Sequence, residues 1–229
     1  MKRIISFAAA LTLVFGAASC QKESQASDAD VVFSVELPSD VVTKANDLPD
    51  MGDGSTVDEL IYRIYAAGEV KYSGVIPRVG TSNKFTLSIK LVKGMEYDLL
   101  FWAQKSATGY YNTDNLKEVV ANYDGLSNDE TRDAFYNNEI QNLFVDGPIE
   151  RNVTLVRPFA QVNFGTTEAD LDAAKVIGGM YPTQSKVAFS VKLPTVLNLF
   201  TGEVSGEQDI VYDYTALPDP AKDGYLKVD

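Results

Sequence analysis

The most conspicuous group of side chains with chemical potential is a run of carboxylates that follows the first strand-like segment. Asp50 and Asp53 precede Gly54, and Asp58 and Glu59 follow shortly after it. Carboxylate oxygens are ligands for calcium, but an EF-hand loop needs ligands at alternate positions. The spacing Asp50-x-x-Asp53-Gly54 does not supply them. We therefore expect a solvated acidic loop here and no metal site.

Two residue types on which many enzymes depend are scarce. The 229-residue chain contains no histidine and one cysteine. This composition excludes Ser-His-Asp and Cys-His nucleophile pairs, an imidazole general base and His-ligated zinc or haem. Neither Gly178-Gly179 nor Gly202-x-x-x-Gly206 is followed by the Lys-Ser/Thr of a phosphate-binding loop. We expect no enzymatic activity and no cofactor.

The charge of the chain argues against another class of partner. Lysine and arginine together number 20 against 32 acidic residues, which gives a formal net charge of -12. Proteins that bind nucleic acid need a basic patch that displaces counterions from phosphates. The sequence therefore predicts no nucleic-acid partner.

The only cysteine lies directly after an N-terminal segment typical of exported proteins. Lys2 and Arg3 form a basic start, and the apolar run over residues 4–15 is shorter than the roughly 20 residues that span a bilayer as a helix. Four small residues then lead into Cys20. This arrangement resembles the lipobox of bacterial lipoproteins, whose cysteine is acylated and becomes the first mature residue. We expect a signal peptide over residues 1–19 and attachment to the outer membrane through lipidated Cys20, facing the cell surface.

The segment after the cysteine has the composition of a tether. Residues 20–30 contain no aliphatic side chain larger than alanine and are rich in serine, glutamine and charge, which is typical of a flexible linker. Gln21-Lys22-Glu23 is similar to the signal that directs lipoproteins to the outer surface in Bacteroidota. An ordinary solvated linker explains the same three residues equally well.

Beyond the tether, apolar and polar residues alternate, which predicts β-strands. The clearest pattern is Phe85, Leu87, Ile89 and Leu91. Residues 97–103 are apolar on both faces and predict a central strand, paired as a hairpin with the preceding one through the connection at 93–95. Further strand patterns lie at residues 33–37, 60–65, 153–155, 160–164 and 187–193.

Helical spacing is confined to three short stretches. Residues 113–123 place apolar side chains at helical spacing behind Thr113, the capping box Ser127-x-x-Glu130 precedes a second stretch, and residues 167–176 form a third. Because strands dominate and the helices are brief, we predict a mainly β fold. It should be a Greek-key β-sandwich with short helical excursions.

Five segments resemble the fimbrillin-like lipoproteins of Bacteroidota. They are residues 99–104 (LLFWAQ), 111–116 (YNTDNL), 128–136 (NDETRDAFY), 155–162 (LVRPFAQV) and 194–202 (PTVLNLFTG). The resemblance implies two transthyretin-like β-sandwich domains in a surface lipoprotein. It also implies a structural or adhesive role, as a fimbrial anchor, accessory or stalk-like subunit. The implied partners are other fimbrial subunits or a donor strand that fills a groove opened by proteolysis.

The resemblance suggests a processing site and a domain boundary. Lys44 lies where relatives carry a basic residue at which fimbrial subunits are cut; an arginine-specific protease would not cut at lysine, and an ordinary loop lysine is the alternative. Arg157-Pro158 separates two strand patterns, and proline cannot donate a hydrogen bond in a ladder. We therefore predict an N-terminal β-sandwich domain over residues 31–157 and a C-terminal β domain over 158–229.

The predicted C-terminal domain is short for a sandwich. It offers about four strand patterns, whereas a complete sandwich domain has about seven strands in about 100 residues. Three explanations stay open: a protein shorter than its relatives, a truncated gene model, and an unpaired edge that a partner strand completes. Truncation is the simplest of the three.

Aromatic residues of the N-terminal domain supply the second functional lead. Trp102 lies in the predicted central strand and is expected in the core. Tyr110 and Tyr111 follow a loop over residues 106–109 and are candidate ligand contacts, because tyrosine faces often bind glycans or protein surfaces. The alternative function is therefore a glycan-binding surface lipoprotein of a polysaccharide-uptake system, with glycans or a host surface as the ligand.

Overall fold

The computed structural model describes residues 27–38, 54–124, 129–160, 168–179 and 185–214. These ranges are mainly β, which confirms the predicted fold class. A 3-10 turn spans Glu130–Arg132, and the α-helix α1 spans Glu168–Gly178. The strands are β1 (Asp28–Glu36), β2 (Glu59–Ala66), β3 (Glu69–Pro77), β4 (Lys84–Val92), β5 (Met95–Gln104), β6 (Tyr111–Asn112), β7 (Val119–Ala121), β8 (Ala134–Val145), β9 (Ile149–Thr154), β10 (Ser185–Ala188), β11 (Val196–Leu197), β12 (Val204–Ser205) and β13 (Val211–Tyr214).

Two facing sheets form a β-sandwich. In the first sheet β1 lies between β4, which is antiparallel to it, and β9, which is parallel. The second sheet is antiparallel, with the order β3-β2-β5-β8. The alternating apolar side chains point into the shared core, as the period of two requires. The largest fully buried members of this core are Phe33, Phe85, Phe101, Phe135, Leu60, Ile64, Leu91 and Leu99.

A third sheet, with the order β12-β11-β7-β6, covers the outer face of the second sheet. Leu197 and Leu199 pack there with Leu100 and Trp102 in a separate apolar cluster. The β5 strand is therefore buried on both faces, which explains why residues 97–103 are apolar without alternation. Trp102 is fully buried, and the expectation that β5 is a central strand is confirmed.

The predicted hairpin between β4 and β5 is wrong. The β4 strand pairs with β1, whereas β5 pairs with β2 and β8 in the other sheet. Gly94 adopts a left-handed conformation (φ 81°) in a turn that carries the chain from one sheet to the other. The two strands separate because β4 has one polar face for solvent, while β5 needs apolar cover on both faces.

Two of the three predicted helices are also wrong. Within residues 113–123 the chain forms a turn followed by β7, in which Val119 and Ala121 are buried and Val120 is exposed. The Asn115 side chain accepts a hydrogen bond from the Lys117 N–H (3.0 Å) and so offers the backbone an alternative to a helix. In the stretch after the capping box, the described residues form the 3-10 turn and then β8, and no α-helix. The third helix is confirmed as α1.

Residues 185–214 form one long, irregular hairpin. β10 pairs with β13 near its base and β11 with β12 near its tip. Between these pairs Leu193 and Gln208 exchange two backbone hydrogen bonds of 2.9 Å. The β11 strand also pairs with β7, so the tip of the hairpin belongs to the layered body of the molecule.

Two features of the structure bear on the predicted domain limits. The β1 strand begins at Asp28, so the last three residues of the predicted tether are part of that strand. The pairing of β11 with β7 crosses the expected boundary near residue 157. Residues 161–167 and 215–229 lie outside the described ranges. The division into residues 31–157 and 158–229, and the completeness of the second part, stay predictions.

We expect Leu199→Ala to lower the free energy of unfolding by about 2–5 kcal/mol, because it leaves a cavity beneath the hairpin tip. The matched control is Val176→Ala in α1, whose side chain is 84% exposed and whose loss should cost less than about 0.5 kcal/mol. Denaturant unfolding followed by Trp102 fluorescence and circular dichroism makes the measurement. An unchanged Trp102 transition in Leu199→Ala would show that the tip is not part of this core.

Candidate functional site

A cleft of about 540 Å³ opens between the hairpin 185–214 and the end of the sandwich where β5 finishes and β8 begins. This volume lies within the range of small-ligand pockets, roughly 300–1,000 Å³. The walls are mostly apolar. They include Val119 and Ala121 of β7, Val196 and Leu197 of β11, and Leu193, Phe159 and Phe189 from the adjoining loops.

Tyr111 forms part of the cleft wall. Its ring meets Trp102 edge-on (5.2 Å between centroids, 70°) and stacks on Phe159 (5.7 Å, 8°). Its hydroxyl donates a 2.6 Å hydrogen bond to the backbone carbonyl of Arg132. Burial raises the pKa of Tyr111 well above its usual value of 10. The hydroxyl is thus committed inside the protein, and a ligand in the cleft would meet the aromatic face.

Tyr110 has different surroundings and is not among the residues that line the cleft. Its hydroxyl donates to the carboxylate of Asp129, and the guanidinium of Arg132 lies 4.2 Å from its ring centre. Burial acts to raise the pKa of Asp129, but hydrogen bonds from Thr131 and Tyr110 outweigh it and lower the pKa below its usual value. Tyr110 thus contacts two residues of the cleft wall without lining the cleft itself, and the predicted role of both tyrosines in ligand contact stays a prediction.

The charged groups at one end of the cleft are engaged with each other. The Asp133 side chain, 8% exposed, accepts hydrogen bonds from Arg157 at 2.6 and 3.3 Å and from the Gly54 N–H at 2.8 Å. Arg157 also lies 4.9 Å from the ring centre of Phe135. Since a buried carboxylate needs such partners, this network fixes the wall of the cleft. It fastens three distant parts of the chain to one another.

The second candidate feature is β1 itself. Five alternate side chains from Ala29 to Leu37 are each 6% exposed or less. The strand pairs nine residues with β4 and six with β9, which have no pairing with each other in the described ranges. An N-terminal strand therefore holds the middle of the sheet.

The ends of β1 lie at opposite ends of the sandwich. Ser27, at the start, accepts a hydrogen bond from the Lys93 N–H in the turn between β4 and β5. At the other end the Leu37 N–H donates to the Asn83 carbonyl. Arg78 bonds both the Asn83 side chain and the Gly54 carbonyl, so the chain leaves and re-enters the described part at this second end. Lys44 lies in the intervening segment, 39–53.

Most of the remaining predicted site residues lie outside the residues that the structure describes. Cys20 and Lys44 lie outside the described ranges, as do Asp50 and Asp53 of the predicted acidic loop. Asp58 of that loop instead bonds Lys105 at 2.5 Å and the Ser106 N–H at 2.7 Å. In the described parts of the chain, no three His, Cys, Asp or Glu side chains are grouped as a metal ion would require, and no helix has the length and apolarity to cross a membrane.

The fold and the cleft define a mainly β, layered sandwich protein with a long hairpin packed on its outer face. The chain belongs to the family described as "Family of unknown function (DUF6562)", whose model matches residues 23–229. None of the curated proteins matches the sequence.

Two solved structures have a similar fold. One is a proposed polysaccharide-binding protein (DUF1812) from Bacteroides thetaiotaomicron VPI-5482, with 13% identity and a TM-score of 0.57, covering 87% of this chain and 70% of that one. The other is the fimbrial anchor protein Mfa2 from Porphyromonas gingivalis, with 14% identity and a TM-score of 0.48, covering 88% and 72%. At these identities the first likeness establishes the fold alone.

We expect Tyr111→Phe to lower the free energy of unfolding at neutral pH by about 1–3 kcal/mol, because the Arg132 carbonyl loses a buried donor. The pKa of Tyr111 is raised in the folded state, so the stability it contributes is complete below pH 10 and is lost as the pH rises further. The unfolding free energy of the variant should therefore decline less steeply above pH 10 than that of the natural protein. Parallel pH profiles would contradict the buried role of this hydroxyl.

Proposed function

We propose that the protein is a cell-surface lipoprotein of fimbrillin type, held to the outer membrane by acyl chains on Cys20. In this proposal it has a structural or adhesive role and acts through strand complementation or protein contacts. The observation that carries the proposal is the position of β1. The strand nearest to the lipidation motif is also the central strand of a sandwich sheet.

The short tether supports an anchoring role. Cys20 and Ser27 are seven residues apart in the sequence, a distance that an extended chain covers in at most about 25 Å. The sandwich would therefore stand close to the membrane with its Ser27 end toward the lipid. Load on the anchor would pass through β1, whose ladders with β4 and β9 distribute it over the first sheet.

The position of Lys44 supports the second half of the proposal. Cleavage in the segment 39–53 would leave β1 attached to the rest of the protein through its noncovalent contacts only. Loss of β1 would then expose a strand-shaped apolar groove between β4 and β9. A subunit that keeps β1 is suited to anchoring, whereas one that exchanges it for a partner strand is suited to polymerisation.

We expect Cys20→Ser to move the protein from the membrane fraction to the soluble fraction and to abolish incorporation of a labelled fatty acid. Ser24→Ala, in the tether, is the matched control and should leave both unchanged. The natural protein should co-purify with other fimbrial subunits or form filaments. A membrane-bound Cys20→Ser variant would contradict lipid anchoring, and a natural protein that stays a monomer without subunit partners would contradict the structural role.

The aromatic wall of the cleft favours the alternative candidate, a glycan-binding surface lipoprotein. Tyr111 and Phe159 form a stacked pair beside the cleft, and aromatic faces are what carbohydrate rings pack against. On this alternative a glycan array gives specific hits that Phe159→Ala weakens at least about tenfold, equivalent to about 1.4 kcal/mol. Phe144→Ala, which removes an exposed aromatic side chain of β8 that does not line the cleft, should change binding less than Phe159→Ala. An array without hits would remove this candidate.

A further inference from the structure

The second arm of the hairpin, residues 203–214, is an edge to which no described strand pairs on its outer side. We propose that this arm is an acceptor edge for an extended, basic segment of another protein, which adds to it as a β-strand. The proposal concerns a surface separate from the groove that β1 fills. It depends on the backbone geometry of the arm, its lack of protective residues and its charge.

Two residues of the arm direct their backbone hydrogen-bonding groups away from the first arm. The Glu203 carbonyl accepts from the Asn198 N–H (2.9 Å) and the Ser205 carbonyl from the Thr195 N–H (3.1 Å), so both point toward the first arm. Because backbone groups alternate in direction along a strand, the N–H and C=O of Val204, between them, point outward.

The same geometry recurs farther along the arm. The Ile210 carbonyl accepts from the Phe189 N–H (3.2 Å), so the groups of the next residue, Val211, point outward. The side chains of Val204 and Val211 are 59% and 49% exposed. An added strand would find backbone partners and apolar contacts at both positions.

Four other edge strands of the described structure carry features that discourage strand addition. Exposed lysine, proline and irregular pairing are the usual ones. The β3 strand has Lys71 and Pro77, β4 has Lys84 and Lys90, and β9 follows Pro148 and contains Arg151. The pairing of β8 is interrupted by two register shifts. The arm 203–214 is also irregular between β12 and β13, so it differs from these edges in residue type and not in regularity. Residues 203–214 contain no lysine, arginine or proline.

The charge of the arm selects the chemistry of the partner. Glu203, Glu207, Asp209 and Asp213 are its charged residues, and all are acidic. A second copy of the same edge would bring like charges opposite each other, which destabilises a strand pair, whereas lysine or arginine across from them stabilises it. The fitting occupant is therefore a basic extended segment of a different protein.

The base of the hairpin lies toward the end of the sandwich opposite Ser27. Arg132, just before β8, bonds the Asn122 carbonyl, and the adjacent Tyr123 bonds the Pro194 carbonyl. Farther along β8, Asn138 and Gln141 bond the carbonyls of Leu199 and Phe200 near the tip. If Cys20 anchors the protein, the Val211 end of the arm lies farther from the membrane than the Val204 end. Only this orientation depends on the proposed function; the edge itself does not.

The test uses the chain with Cys20→Ser and two capped peptides of about nine residues, one alternating lysine with valine and the other alternating glutamate with valine. We expect the basic peptide to bind at least about tenfold more tightly, equivalent to about 1.4 kcal/mol. Val204→Pro removes an outward N–H and should weaken binding at least as much, whereas Val204→Thr keeps that N–H and should change it less than about twofold. Thermal unfolding and circular dichroism establish that both variants are folded.

Hydrogen exchange at the amides of Val204 and Val211 decides whether the edge is open. We expect fast exchange in the free protein and protection when the basic peptide is bound. Slow exchange in the free protein would overturn the proposal, because another part of the same chain would then cover the edge. Equal binding of the two peptides, or equal effects of Val204→Pro and Val204→Thr, would overturn it as well. None of these outcomes bears on lipidation at Cys20.

Discussion

The structure depends on one constraint, which is that the central strands β2 and β5 of the sheet β3-β2-β5-β8 are apolar on both faces and must be covered on both. The sheet β4-β1-β9 covers one face and buries Phe101 against Phe33 (6.0 Å between ring centres). The tip of the hairpin 185–214 covers the other and buries Trp102. One cover is built around the strand nearest to the N-terminus, and the other combines residues 111–121 with the last part of the chain that the structure describes. Both covers are therefore needed for the middle layer to be stable in water.

This dependence connects the fold to the proposed role. If Cys20 is lipidated as proposed, β1, which lies in the middle of its sheet and close to Cys20 in the sequence, would link the membrane to the core of the protein. The cleft beside Tyr111, the base of the hairpin and residues 38 and 54, between which Lys44 falls in the sequence, lie toward the opposite end of the sandwich. An anchored protein would thus present its interaction surfaces outward, while the network of Asp133, Arg157 and Gly54 holds that end in shape.

Local patterning was sufficient to predict most strands of the sandwich but not their partners. The alternation in β4 and the apolar run in β5 predicted two strands correctly, yet the short turn at Gly94 suggested a hairpin where the chain crosses between sheets. The spacing that predicted a helix over residues 113–123 is overridden by the turn at Asn115 and by pairing with β11. The cleft could not be predicted from local sequence patterns, because it forms only when residues near 120 contact residues near 195. Tyr111 was predicted as a surface aromatic for ligand contact, but its hydroxyl is bonded to the Arg132 carbonyl inside the protein, and its contact with a ligand stays a prediction.

The central claim is that β1 is both indispensable and exchangeable, and a complementation experiment tests it most directly. A chain that begins at Ala45, and so lacks β1, is mixed with a peptide of residues 28–38 while Trp102 fluorescence reports burial. The account predicts no cooperative unfolding transition without the peptide and a native-like one when the peptide is added. A chain that lacks β1 yet folds as a stable monomer with Trp102 buried would contradict it.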